Sequence, residues 1–461
     1  MALLGAFIVP HPPLIIPEIG RGDEAEINTT IESYHKIGKK IASLNPDTII
    51  IASPHSIMYS DYIHISPGKG AKGDFGQYGR RNVSFKVEYD EELVEEIEYA
   101  AEVEDIRGGT LGEKNTALDH GTMIPLYFIN QYIKDYKIIR IGQSGLSATD
   151  HYNMGKLIRR EADKLGRKIV FIASGDLSHK LKEDGPYGFA QEGVDFDKKM
   201  VDIMRTGEFL RFMEIGSGFQ EKAAECGLRA FIMMAGALDG RDVDIDFMSY
   251  EGPFGVGYAV SSYKPLGSNE ERRFDLIYEE KQLAIAKEKR EEEDEYVKLA
   301  RHAIENYVKS GIRISIPDDL PGEMINNKAG VFVTIKKQGE LRGCIGTISP
   351  VTSSIAQEIL RNSISAAMED PRFAPVSERE LPQLVYSVDV LGQTEKIESL
   401  EELDVNRYGV IVSSGHKRGL LLPNLEGVNT VDQQIDIARR KAGITKMDKL
   451  VIERFEVVRH H

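Results

Sequence analysis

A chain of 461 residues is too long for one ordinary domain, and two or three are expected, each able to bury its own core. Its 73 acidic against 58 basic residues give a net charge of -15, which argues against nonspecific binding to nucleic acid or to an anionic membrane and toward a small-molecule or protein partner. Cys226 and Cys344 fit no disulfide framework and no CxxC metal site, and no apolar run approaches the roughly 20 residues that span a bilayer, so a reducing, cytoplasmic setting is expected.

From Leu3 to about Pro265 strands and helices alternate. Leu4 to Val9 reads as a first strand rather than a signal peptide, because no basic segment precedes it. Ile27 to Leu44 has helical spacing, and Thr48 to Ala52 is a second buried strand. Ser66 to Arg81, rich in Gly and Tyr, keeps no period and is predicted to be a substrate-facing or lid loop. Helices are predicted over Glu91 to Ala101, Met123 to Tyr132 and Ala148 to Leu165, with a strand at Lys137 to Ile141. The apolar run Lys168 to Ala173 delivers Ser174-Gly-Asp-Leu-Ser-His179, as a buried parallel strand does at its carboxyl end. An apolar helix is predicted from Glu225 to Leu238, and strands near 243–250 and 256–262 close the domain. This alternation predicts an α/β fold with a mostly parallel, helix-covered sheet over residues 1–265.

Residues 266–289 are read as a linker running into a charged helix that extends to about Ser310. The grammar then becomes α+β over 290–461: a hairpin at 331–347, a helix at 353–368, a strand at 385–391, a second hairpin near 410–422, a helix at 431–442 and a last strand at 449–457. The terminal His460-His461 is set aside as the remnant of a purification tag.

Four histidines stand at element ends in the first domain: His11, His55, His120 and His179. Neutral imidazole suits iron, copper, zinc and nickel, and two histidines with one carboxylate are the donor set of non-haem Fe(II) oxygenases. His11 and His55 follow two strands expected to be neighbours, and Glu225, at the start of a buried helix, is the best third ligand, with helix capping as its other reading. Iron as Fe(II) is therefore expected, with zinc or copper left open. His179 and His120 are assigned to acid–base work, since imidazole titrates near physiological pH. Asp176 is expected to orient His179, and Asp119 to orient His120. Asp176 and Ser178 also fit a turn that closes the strand end. Cys344 beside Arg342 reads either as a reactive thiol or as a small buried hydrophobe.

The set His11 in Val-Pro-His-Pro-Pro, His55 in Ser-Pro-His-Ser, Asp119-His120-Gly121 and Ser174-Gly-Asp-Leu-Ser-His179 resembles the class III extradiol ring-cleavage dioxygenases, the LigB-like superfamily that includes the Memo proteins. The resemblance implies Fe(II) on His11, His55 and Glu225, with His179 as acid/base, His120 as a stabiliser, and a small aromatic, catechol-like substrate cleaved with O₂. Memo proteins have a cysteine where Cys226 falls, so the resemblance also allows a metal-binding role without dioxygenase activity. Leu341-Arg-Gly-Cys-Ile-Gly-Thr347, Glu369-Asp-Pro-Arg-Phe373 and Gly419-Leu-Leu-Leu-Pro423 resemble an AMMECR1 domain. The order of the two is similar to the AmmeMemoRadiSam system, which implies a radical-SAM protein as partner. Assembly with further copies of the chain is left open.

Overall fold

The computed structural model describes residues 2–114, 117–425 and 427–461. The chain divides into two compact units, Met1–Tyr278 and Glu279–His461.

The first unit is built on six strands: β1 (Leu3–Val9), β2 (Thr48–Ser53), β3 (Lys137–Gly142), β4 (Ile169–Ser174), β5 (Arg241–Glu251) and β6 (Tyr258–Ser268). They lie in the order β3-β2-β4-β1-β6-β5. The first four pair in parallel, and β6 and β5 continue the sheet antiparallel. Successive residues of the parallel strands enter opposite cores: Ala6, Ile8, Ile50 and Ala52 pack with helices Glu91–Val103, Ala148–Leu165 and Leu228–Ala237, whereas Phe7, Val9, Ile49 and Ile51 pack with Asn28–Leu44 and His120–Ile129. Burial on both faces is why these strands read as continuous apolar runs. Each such Ile or Phe contributes on the order of 1.5–3 kcal/mol. The expected mostly parallel, helix-covered sheet is what the chain forms.

Two stretches differ from expectation. The segment read as a loop contains an antiparallel hairpin, Gly70–Phe75 with Arg80–Glu88, whose solvated alternation was masked by its glycines. The polar stretch after 265 is ordered: β6 runs to Ser268, and a single turn over Glu270–Arg272 leads into helix Phe274–Glu292. Among the described residues no helix is long and apolar enough to cross a membrane.

The second unit is α+β. Its strands follow the order 340–346, 331–337, 384–391, 451–460, 408–414, 417–421, all antiparallel. Helices Glu295–Ser310 and Ile355–Met368 share a core with Val331, Val333, Ile335 and Val388, and Val431–Lys441 shares one with Val410, Val412 and Leu421. The single charged helix expected up to Ser310 is two, because the Asp294 carboxylate accepts the N–H groups of Tyr296 and Val297 and starts a new one. His460 is part of the fold: it pairs with Val388 in the last strand and its ring stacks on Tyr296 at 3.8 Å.

Candidate metal centre

Strands β1, β2 and β4 end level, with Val9 opposite Ser174 and Ala52 opposite Ala173. The two histidine-bearing strands are not the neighbours that the sequence leads one to expect; β4 lies between them. Each histidine follows a proline, Pro10 or Pro54, which has no N–H to give a ladder, so the chain leaves the sheet there. His11 and His55 therefore flank the loop that follows β4. That loop is pressed against the turn carrying Cys226: a Cβ on Gly175 would sit 2.2 Å from the Gly227 Cα, so only glycine fits.

The side chains converge. His11 Nε2 lies 3.0 Å from His55 Nε2 and 3.6 Å from Cys226 Sγ. The ligand atoms of His11, His55 and Cys226 all lie within 4.8 Å of one another. A first-row metal bonds imidazole nitrogen at about 2.0–2.1 Å and thiolate sulfur at about 2.3 Å, so one ion can touch all three. The tautomer of His11 is set from behind. Ser174 Oγ donates its single hydrogen to the Gly121 carbonyl at 2.6 Å, so it accepts from His11 Nδ1–H at 3.0 Å, leaving the Nε2 lone pair toward His55 and Cys226. The backbone of His11 is held as well, its N–H donating to Asp176 Oδ1 at 2.7 Å.

The electrostatics suit ligation. Burial, then the neighbouring histidines, holds His11 well below the ordinary imidazole range, and burial also lowers His55 against the opposing charge of Asp119. Burial, then His55, pushes His120 down to about 4. Neutral imidazoles keep their lone pairs at pH 7. Burial, then Asp176 and Glu225, pushes the Cys226 thiol up, so without a cation it is protonated.

Glu225 does not join this group. The apolar helix begins at Leu228, three residues later than the sequence pattern suggested, and Glu225 Oε2 accepts the Leu228 N–H at 2.7 Å. The carboxylate satisfies a helix end, the capping role left open by the sequence, and it is the next residue, Cys226, whose Sγ joins the two histidines.

His120 opens its helix with its ring on that of His55, centroids 3.9 Å apart. Asp119 does not orient it: the carboxylate caps the helix through Thr122 N–H, accepts from Thr122 Oγ1 and Ser53 Oγ, and lies 3.7 Å from Arg140. His179 lies close enough for its charge to depress His11, and its Nδ1 is buried with no hydrogen-bond partner among the described residues. Asp176, expected to orient it, turns instead to His11; burial, opposed by that N–H and reinforced by Asp197, lifts its carboxyl to about 7. Ser178 closes the turn, donating to the Ala223 carbonyl and accepting from Lys180 N–H. An open cleft of about 920 Å³ reaches this edge, walled by His55, His120 and the hairpin at 70–88.

Cys344 in the second unit differs. Arg342 turns away from it to Glu380, while the thiol accepts from Thr334 Oγ1 at 3.3 Å and burial raises its pKa. It is a packed thiol and not an activated one.

Residues 5–261 match the family model described as the catalytic LigB subunit of aromatic ring-opening dioxygenase, and residues 297–460 match AMMECR1; the chain belongs to the LigB family and carries an AMMECR1 domain fused behind it. It is 43% identical over 468 residues to Protein CA_C1420 of Clostridium acetobutylicum, covering 100% of this chain and 99% of that one. A Thermotoga maritima protein is 49% identical over 170 residues, 36% of this chain and 98% of its own. Among solved structures, uncharacterized protein PH0010 of Pyrococcus horikoshii matches 36% of this chain and 88% of its own at 35% identity with a TM-score of 0.34. Uncharacterized protein JW3007 of Escherichia coli K12 matches 56% and 99% at 14% identity with a TM-score of 0.38.

Proposed function

We propose that the first unit is a metal-binding domain of the LigB fold whose ion is held by His11, His55 and Cys226, and that it works in the manner of the Memo proteins rather than as a ring-cleaving dioxygenase. The supporting observation is the thiol: Cys226 Sγ faces His11 Nε2 at 3.6 Å while the Glu225 carboxylate is engaged by a helix N–H. Two histidines and a carboxylate characterise the Fe(II) oxygenases, whereas a thiolate with two imidazoles favours copper or zinc. A bound ion of that kind supplies Lewis acidity or one-electron chemistry at the mouth of the cleft. The chain's own residues do the rest. Ser174 fixes the donor nitrogen of His11, His120 covers one side of His55, and His179, close enough for its charge to reach His11, can take or return a proton. A radical-SAM partner and a peptide or protein substrate belong to this reading.

The second reading, an Fe(II) extradiol dioxygenase acting on a catechol-like substrate, draws on the family description and on the acid–base pair His120 and His179. The two part in one experiment: Co(II) or Cu(II) is added to the metal-free chain, and the iron-loaded chain is mixed with catechols under O₂. The proposal expects a thiolate-to-metal charge-transfer band that Cys226→Ser removes, and no ring-cleaved product. Ring-cleaved product that requires His179, with no such band, would establish the dioxygenase instead.

A further inference from the structure

The second unit holds a cleft of about 490 Å³, walled by helix Ile355–Met368 and by the stretch that follows helix Glu295–Ser310. Gly311, with a φ of 71°, ends that second helix, and the chain runs on through Arg313, Ile314, Ser315 and Ile316 to Pro317. Exposure alternates along the four: Arg313 and Ser315 are exposed, whereas Ile314 and Ile316 are half-buried and packed on the core of the unit. That is the period of an extended strand, and Pro317 keeps the residue before it extended as well. Yet among the described residues the N–H and C=O groups of residues 313–316 make no hydrogen bond within the chain; the nearest anchor is the Ile312 carbonyl, which accepts from Asn306 Nδ2 at 2.6 Å. Side chains pin the segment while its backbone stays free, as at an open sheet edge.

The arginines of the cleft are free too. Arg361, exposed on the helix wall, has no ion pair or hydrogen bond among the described residues, and Arg313 there has only the face of the Tyr307 ring, at 5.9 Å. No carboxylate lines the cleft: Glu358, one turn before Arg361, is taken up by Thr347, Thr352 and the Val351 N–H. Leu360 and Ile364, one turn apart on the helix, add an apolar strip. A free backbone edge, an apolar strip and unpaired guanidiniums in one cleft are the parts that recognise an extended peptide, main-chain hydrogen bonds giving affinity and side-chain contacts specificity. Guanidiniums favour a carboxylate, which each can hold through two parallel hydrogen bonds. A small anion would use the arginines and leave the edge idle.

We infer that this cleft binds an extended peptide segment of a partner protein, which adds alongside residues 313–316, rests an aliphatic side chain on Leu360 and Ile364 and sets an acidic side chain against Arg313 and Arg361. The site lies wholly in the second unit and needs no ion in the first.

The test is selection of a phage-displayed library of random linear peptides on the full chain, followed by fluorescence-anisotropy titration of the enriched peptides. Enriched sequences are expected to carry Asp or Glu and an aliphatic residue at alternate positions, which share a face in an extended peptide. Replacing the acid by its amide is expected to weaken binding about ten-fold, as are Arg313→Ala and Arg361→Ala, with Arg361→Lys in between. Neither arginine holds the fold, so both variants should keep the wild-type thermal unfolding midpoint. N-methylation of alternate peptide nitrogens is expected to abolish binding in one register and spare it in the other, since only alternate N–H groups face the edge. No enriched peptide, enriched peptides without an acid, or binding that survives both arginine variants overturns the inference. Binding indifferent to N-methylation in either register, with decanoate competing as well as the peptide does, overturns it in favour of a small amphipathic acid.

Discussion

The two cysteines both sit among charged and polar side chains, of different kinds, and differ in how those groups are spent. Around Cys344, Thr334, Asp370, Arg372, Arg342 and Glu380 are paired with one another: Cys344 N–H donates to Asp370 Oδ2 at 2.9 Å, Arg372 reaches Asp370 at 2.6 Å, and Arg342 reaches Glu380 at 2.9 Å. Around Cys226, His11 Nε2 and His55 Nε2 point at each other, His179 Nδ1 has no partner among the described residues, and carboxylates at Asp176 and Glu225 raise the thiol further. Buried polar groups are normally satisfied, and the close approach of two imidazole nitrogens to a thiol, beside an unpartnered His179 Nδ1, is what the proposed metal centre would account for.

Substitutions at four positions sharpen or break that contrast. The largest effect is expected in the scaffold. Glu380→Ala leaves Arg342 without its carboxylate and should destabilise the second unit by about 3 kcal/mol in denaturant unfolding. The same network gives a pH dependence. Burial works to raise the Glu380 carboxyl and is outweighed by hydrogen bonds from Arg342 and Ser377 and by the Lys337 and Arg342 charges, which hold it at about 2 against an ordinary 4.5. A depressed folded-state value means the stabilisation is complete above about 4.5 and is lost as pH falls toward 2. Thermal unfolding of the wild type should therefore weaken over that window more steeply than that of Glu380→Gln; equal slopes would remove the pair from the account.

Next comes Ser174→Ala, which frees the His11 tautomer without touching a donor atom. It should weaken metal affinity about ten- to hundred-fold with the fold intact by circular dichroism, and unchanged affinity would mean that the hydroxyl does not set the donor nitrogen. Glu225→Gln should cost about 1 kcal/mol of stability through the poorer cap on helix Leu228–Ala237. Smallest is Cys344→Ser, expected to change stability by about 1 kcal/mol or less and metal content not at all.

The sheet was legible because residues such as Ile49, Ile50 and Ile51 are buried on both faces, which leaves an uninterrupted apolar run. The histidines were legible because His11, His55 and His179 follow such runs and His120 opens a helix. Four features were not. The hairpin at 70–88 is mostly solvated on one face and interrupted by glycines, so neither period showed. The placement of β4 between β1 and β2 is a matter of chain topology, which local pattern does not carry. The choice between Glu225 and Cys226 turns on where a helix begins: with its start at Leu228 the Glu225 carboxylate faces the Leu228 N–H, while Cys226 Sγ faces His11. The sequence pairs Asp119 and Asp176 with the nearby His120 and His179, whereas a helix cap and the backbone N–H of His11, 165 positions away in the chain, claim them.

The most direct measurement of the central claim is metal content by mass spectrometry on the full chain purified without oxygen, for the wild type, Cys226→Ser, His11→Ala and Glu225→Gln. The account predicts near-stoichiometric metal in the wild type and in Glu225→Gln, and its loss in Cys226→Ser and His11→Ala. Metal that survives the loss of Cys226 and disappears with Glu225 would contradict it and return the centre to two histidines and a carboxylate.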